Sequence, residues 1–278
     1  MTLTEAERLT TRKANPKRRS KMRRRAAIHV VQFLLLFALL AGWQLGVPDE
    51  SVAYFSRPTL VAARLVALLS EAPIYRHIAI TAIEIAIGYG LGAGVGLVLG
   101  FVLGRSPVLS ATFQPFVIGL YSVPKIALAP VFIVWLGLGM ASKVAVVFLS
   151  SFFLVFFNTY SGLLMVNEEI VNLARLMGAS WRQVIFRVIV PSAASQIFLG
   201  LKTAVPYAVI GAVIGEYIGS NEGLGFFILY ASQTYDAASL FAGIVILVAI
   251  VFAANAGLSW IERRVIRWKS ASGSAVQI

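Results

Sequence analysis

Apolar residues run along this chain in long, nearly unbroken blocks, without the strict alternation of strands or the one-sided stripe of soluble helices. Six blocks stand out, at about 28–47, 78–103, 112–135, 144–165, 193–214 and 240–260. Each is close to or above the roughly 18 residues a helix needs to cross the bilayer core. The pattern predicts an all-α integral membrane protein with six transmembrane helices. Residues 48–77, between the first two blocks, are mixed. There Pro58 stands at a helix start, and Leu60, Val61, Leu65, Leu68 and Leu69 mark one face of an amphipathic helix on the outer surface.

Between the fourth and fifth blocks the pattern changes. Asn167 to Pro191, NEEIVNLARLMGASWRQVIFRVIVP, is a polar, mixed-charge island of 25 residues. Asn167 is a good N-cap, and Glu168 and Glu169 sit in a first turn, where the helix dipole favours anions. Gly178 is placed to end that helix, so the spacing predicts a short helix over 168–177. Ser180 and Gln183 form a capping box for a second helix running up to Pro191. From the residues alone, the island is also compatible with a plain interfacial helix.

Several positions inside the blocks are unusual for a plain span. The second block has glycines at 88, 92, 96, 100 and 104. Four-residue spacing puts them on one helix face, where they let a neighbouring helix approach closely. Glu84 lies in the same block; a carboxylate in hydrocarbon costs roughly 2.5 to 3.5 kcal/mol, so it must face protein or water and have a partner. Pro115, Pro124 and Pro130 break the third block, and irregular backbone at membrane depth is tolerated only inside protein or beside a water-filled cavity. Lys125 stands in that break. It either lines a route across the membrane, together with Tyr121 and Ser122 and with Tyr207 of the fifth block, or pairs with Glu84. The fourth block is apolar and aromatic and offers no distinguishing feature. Glu216 closes the fifth block ahead of the turn sequence SNEGLG, a place for a gating contact, a partner contact or a plain helix end, and with Glu84 it completes the set of six candidate route residues.

Composition agrees with a polytopic membrane protein: 59% of residues are hydrophobic and 13% charged. The net charge of +12 is local, because ten of the 24 basic residues lie between Arg8 and Arg25. A basic arm ahead of a span is a topology determinant first and an anionic-lipid contact second, ahead of nucleic acid. Residues 1–25 are expected to be disordered, and the long basic lead with no small-residue cleavage site marks the first block as a retained span. With the N-terminus inside, inner segments hold 19 Lys and Arg, and outer segments hold four, Arg57, Arg64, Arg76 and Lys143. That asymmetry puts the island and both termini in the cytoplasm. The chain divides into the arm (1–25), the first span with the outer helix (26–77), a core (78–262) and a tail (263–278). No cysteine, Gly-Lys dipeptide, HExxH or GxSxG is present, which leaves no thiolate site, no P-loop and no hydrolase signature. A transport subunit fits these features; an ion-coupled secondary transporter or a channel is the alternative.

Within the island, Ala174, three residues, Gly178, nine residues, then Val188, Val190 and Pro191 resembles the cytoplasmic loop signature of ABC importer permeases. Asn172 stands where that signature has Glu and Leu173 where it has its first Ala. From about Tyr54 to Lys269 the chain resembles the permeases for nitrate, sulfonates, taurine, bicarbonate and vitamin precursors. PFVIGLYSVPKIALAPVFIVWLGLG, ARLMGASWRQVIFRVIVPSA and GEYIGSNEGLGFFI carry the likeness. The resemblance implies a type I importer transmembrane domain in a bacterial inner membrane, with a second permease subunit (a homodimer), two ATP-binding cassette subunits and an extracytoplasmic substrate-binding protein. ATP and Mg would sit on the cassette subunits, with no cofactor on this chain. By the same resemblance Asn172, Leu173, Ala174, Leu176, Met177, Gly178, Ala179 and Pro191 would couple to the ATPase.

Overall fold

The computed structural model describes residues 16–266, with side chains from residue 27 onward, and is helical without a strand among the described residues. Its elements are α1 (Pro16–Gly46), α2 (Pro58–Ser70), α3 (Ala72–Arg105), α4 (Pro107–Ser122), α5 (Ala129–Leu136), α6 (Met140–Leu164), α7 (Glu168–Leu176), α8 (Trp181–Val184), α9 (Val190–Gly219), α10 (Leu224–Gln233) and α11 (Ala237–Val265).

The glycines of α3 set the geometry of the bundle. A Cβ on Gly88, Gly92, Gly96, Gly100 or Gly104 would come closer than 3 Å to Val147, Ser151, Phe152, Thr159 or Leu163 of α6, respectively. Only bare backbone fits along this line, and the helices gain dispersion contact in exchange. Both residue series rise together, so α3 and α6 run parallel. The same test puts Gly200 of α9 against Asn158, Gly211 against Ser150 and Gly215 against Lys143. These pairs run in opposite senses, so α9 is antiparallel to α6. The fourth block, featureless in sequence, is therefore the central helix, held on both sides by glycine contacts.

Parallel α3 and α6 require the chain between them to cross the full thickness once. It does so as a broken span, in which α4 and the stretch Lys125–Leu136 meet at 81°. Val123 and Pro124 are extended at the corner, as the missing proline N–H and the restricted residue before it dictate. With that crossing, the five long apolar helices make six spans.

Two apolar cores lie at the two ends of the bundle. One gathers Val61 and Leu68 of α2, Ile85, Val147, Ala212, Leu224 and Ile246. The other lies under the island and gathers Leu163, Val171, Val184, Ile189 and Ala193. The amphipathic helix is α2, with Val61 and Leu68 buried and Leu65 packed beside them, whereas Leu60 and Leu69, expected on the same face, are exposed. α1 lies at the periphery, where Trp43 packs on Phe241 at 5.1 Å and Gln44 accepts from Thr59.

Three expectations are corrected. Residues 16–25 are helical and continuous with the first span, and only residues 1–15 of the arm lie outside the described residues. The second island helix does not end at Pro191: Trp181–Gly219 is one continuous 39-residue helix. The proline ring would meet the carbonyl of Arg187, and a widened π turn over Ile185–Ile189 absorbs it. Lys143, counted above as an outer-loop cation, is 7% exposed inside the bundle. Of the tail, Arg263 and Arg264 belong to α11, and residues 267–278 lie outside the described residues.

Candidate functional site

The island forms a shelf at one end of the bundle. Asn167 Oδ1 accepts from Glu169 N at 2.8 Å and starts α7. Val171 faces the core beneath, and Ala174 and Ala179 pack half-buried beside it. The other side of α7 is apolar and uncovered: Leu173, Leu176 and Met177 are exposed, the last two at 86% and 80%. Asn172 is exposed between them. Gly178 turns the chain at φ +84°, with open space where a side chain would stand. Its N–H donates to Arg175 O, and that of Ala179 to Ala174 O, which satisfies the carbonyls at the end of α7. The Ser180–Gln183 capping box then starts α8, and the Arg175 guanidinium lies 5.0 Å from the Trp181 ring. Because α8 continues into α9, a force applied to the shelf acts on a rod that reaches the opposite end. Pro191 lies within that rod.

The break in the third span makes a second feature. Tyr121, Ser122 and Lys125 line a cavity of about 470 Å³ with Ser150, Leu154 and Tyr207, which brings four of the six candidate route residues together and leaves Glu84 and Glu216 out. Lys125 Nζ sits 4.0 Å from the Tyr121 ring and 5.1 Å from the Phe153 ring and donates to Tyr121 O. A cation held among ring faces keeps its charge available to the cavity without a carboxylate to neutralise it. Tyr121 and Tyr207 are both exposed, so the cavity lies on a face of the single chain.

Glu84 and Glu216 lie elsewhere, at the end opposite the island. Glu84 is 1% exposed, and its partner is Lys143, at 3.5 Å, not Lys125. Glu216 is fully buried: Oε1 accepts from Thr81 Oγ1 at 2.6 Å and Oε2 accepts from the N–H of Gly225. Thr81 Oγ1 in turn accepts from Leu224 N at 2.7 Å. Glu216 therefore ties the SNEGLG turn and the start of α10 to α3, enclosed and out of reach of an external protein. Lys143 and Thr81 escaped the sequence reading. The need of Glu84 for a cation was the available signal, but the sequence left Lys143 in an outer segment and placed Lys125 inside a block.

Residues 92–267 match the model of the binding-protein-dependent transport system inner membrane component family. The chain is 35% identical over 201 residues to the formylaminopyrimidine transport permease of Halalkalibacterium halodurans, covering 72% of this chain and 80% of that one. It is 32% identical over 237 residues to the riboflavin transport system permease of Chloroflexus aurantiacus, covering 84% and 88%. In fold it is similar to the inward-facing MetNI methionine ABC transporter, with a TM-score of 0.57 at 21% identity, covering 73% of this chain and 98% of that one. The central-helix bundle, the broken third span and the exposed helical shelf thus have a common setting: the chain belongs to the binding-protein-dependent transport system inner membrane components, the permeases of ABC importers.

Proposed function

We propose that the apolar face of α7 is where a separate ATPase docks, and that the rod formed by α8 and α9 carries the motion of that ATPase to the far end of the permease. The observation that supports this most is the bare side of α7. A nine-residue helix presenting Leu173, Leu176 and Met177 outward is anomalous on an aqueous surface and suits a groove on a partner. ATP and Mg would reside on that partner, and the permease would contribute motion without an ATP site of its own. The excess of Lys and Arg on the island side supports a cytoplasmic shelf and cytoplasmic termini.

The cavity at the broken span is the proposed transport path. A single chain leaves it open on one face, so a second copy facing it would close the route. An external binding protein would deliver the solute. Lys125 and the two tyrosines suit a small anion or a planar ring, by charge and by stacking. Relatives named for a formylaminopyrimidine and riboflavin support the planar ring, and relatives named for aliphatic sulfonates and taurine support the small anion.

The test is Gly178→Trp in the co-expressed complex. Gly178 is exposed, and beyond its own chain neighbours nothing lies within 4 Å of the new Cβ, so apart from roughly 1–2 kcal/mol of left-handed backbone strain the side chain leaves into open space on the docking side. The variant is expected to reach the membrane in normal amount and to lose its co-purifying ATPase or the ATPase response to the loaded binding protein. Normal stimulation of ATP hydrolysis would end this reading.

A further inference from the structure

The buried acids at the end opposite the island take no part in docking or in the cavity beside Lys125. Their arrangement poses a problem of its own. Two carboxyl groups, Glu84 and Glu216, share an enclosed site with one ammonium, Lys143. Glu216 is satisfied by Thr81 Oγ1 and by the Gly225 N–H. Lys143 Nζ lies 3.5 Å from Glu84 Oε1 and donates to Ser220 Oγ at 2.8 Å. Glu84 Oε2 is enclosed and receives a hydrogen bond from no donor. Glu84 stands one turn along α3 from Thr81, the residue that bonds Glu216, so the two buried carboxyl groups adjoin.

Two ionised carboxylates are acceptors only and repel each other, and the low-dielectric surroundings magnify that repulsion. A proton between them turns the contact into a donor–acceptor bond and leaves the cluster neutral with Lys143. We propose that Glu84 and Glu216 share one proton at neutral pH, making a proton-binding latch that holds α3, α6 and α9 to the turn ahead of α10. A route for the proton lies alongside: Glu84 and Lys143 line a cavity of about 660 Å³ with Tyr217, Ser220, Asn221 and Glu222.

The other charged and titratable groups around the latch are already engaged. His77 Nδ1 of α3 accepts from Gly223 N at 3.0 Å, Arg76 of α3 pairs with Glu222 of the turn, and Ser220 takes the Lys143 ammonium. Tyr217 of α9 faces the same cavity. None of them supplies Glu84 Oε2 with a donor. Losing the proton leaves two anions opposite one ammonium, and the turn that hangs from Glu216 loosens with it.

Infrared spectra of the full chain in lipid nanodiscs, recorded against pH, test this directly. The wild type is expected to show the C=O stretch of one protonated, enclosed carboxyl per chain at neutral pH, lost on alkalinisation. Glu84→Gln and Glu216→Gln should each abolish it, because either change leaves a single carboxylate for Lys143. The wild-type thermal midpoint should fall as pH rises, whereas that of Glu84→Gln stays level. A wild type without the band at neutral pH overturns the proposal, as does a band that survives both substitutions. A wild-type midpoint that is flat with pH but rises with added sodium also overturns it, in favour of a metal cation between the acids. If a variant fails to accumulate, the wild-type band and its pH dependence still decide.

Discussion

The two ends of this bundle handle their polar and apolar groups in opposite ways. At the far end, charges are folded inward and matched within the chain: Glu84 with Lys143, and Glu216 with Thr81 and Gly225. At the island end, apolar side chains point outward, and among the described residues nothing covers Leu176 or Met177. The glycines differ in the same sense. Gly88, Gly92, Gly96, Gly100 and Gly104 of α3 are pressed against α6, whereas Gly178 stands in open space and is needed only for its left-handed turn. The far end turns its charges inward; the island end leaves an apolar face uncovered among the described residues. A substitution should therefore register in the stability of the chain at one end and in its associations at the other.

The largest effect belongs to the glycine line. A Cβ at Gly96 would meet the Phe152 carbonyl at 2.8 Å and the Phe156 N at 3.1 Å, backbone atoms that cannot step aside. Gly96→Leu is expected to remove the chain from the membrane fraction, since overpacking of even a few methylenes costs about 1–3 kcal/mol and here two main chains must separate. Gly94→Leu, two residues away with nothing within 4 Å, should accumulate normally. Quantifying both in isolated membranes checks the contrast, and equal yields would mean that the α3–α6 contact does not hold the bundle.

Next comes Lys143→Met. It strands Glu84 in an enclosed site, and breaking a buried ion pair from one side costs about 3–5 kcal/mol. The thermal midpoint of the purified chain should drop sharply, and Lys143→Met with Glu84→Gln should recover part of the loss. A double variant no better than the single one would detach Glu84 from Lys143.

Local chemistry along the chain was legible; pairing between distant segments was not. The Asn167 cap, the Gly178 turn, the Ser180 capping box and the break at Pro124 each depend on a few neighbouring residues, and each formed where the residues put it; Pro115, expected to break the span as well, lies inside α4, and Pro130 opens α5. The glycine line announced a close contact but not its partner, because α6 answers with Val147, Ser151, Val155, Thr159 and Leu163, an unremarkable row in sequence. Lys143 follows Ser142 at the start of an apolar block and reads as a loop cation; only the parallel register of α3 and α6 brings it to Glu84. At Pro191, removal of an N–H is a local fact. Whether a helix stops or widens there depends on the packing of Val184 and Ile189 beneath it.

Lys125→Met leaves the fold alone, because Lys125 has only ring faces and a carbonyl as partners and its stem already packs on apolar surface. Assembly should be unchanged, and uptake of an anionic or ring-bearing solute in reconstituted vesicles should fall by at least tenfold. Normal uptake would place the path elsewhere.

The smallest effect on the chain itself is expected from Leu173→Ser with Leu176→Ser. Both side chains are exposed and neither belongs to the core under the island, so the isolated chain should unfold within about 0.5 kcal/mol of the wild type. The surface they leave matters only to a partner. Burying two leucines in a groove contributes roughly 1.5–3 kcal/mol each, enough to cut association with an ATPase by a hundredfold or more if that groove exists. The pair of measurements therefore separates two meanings of an uncovered apolar helix. A stable chain that no longer retains its ATPase marks α7 as a docking face. A stable chain that retains it shows that these leucines meet lipid at the membrane surface, and contact with the ATPase would then have to come from the polar residues of the island.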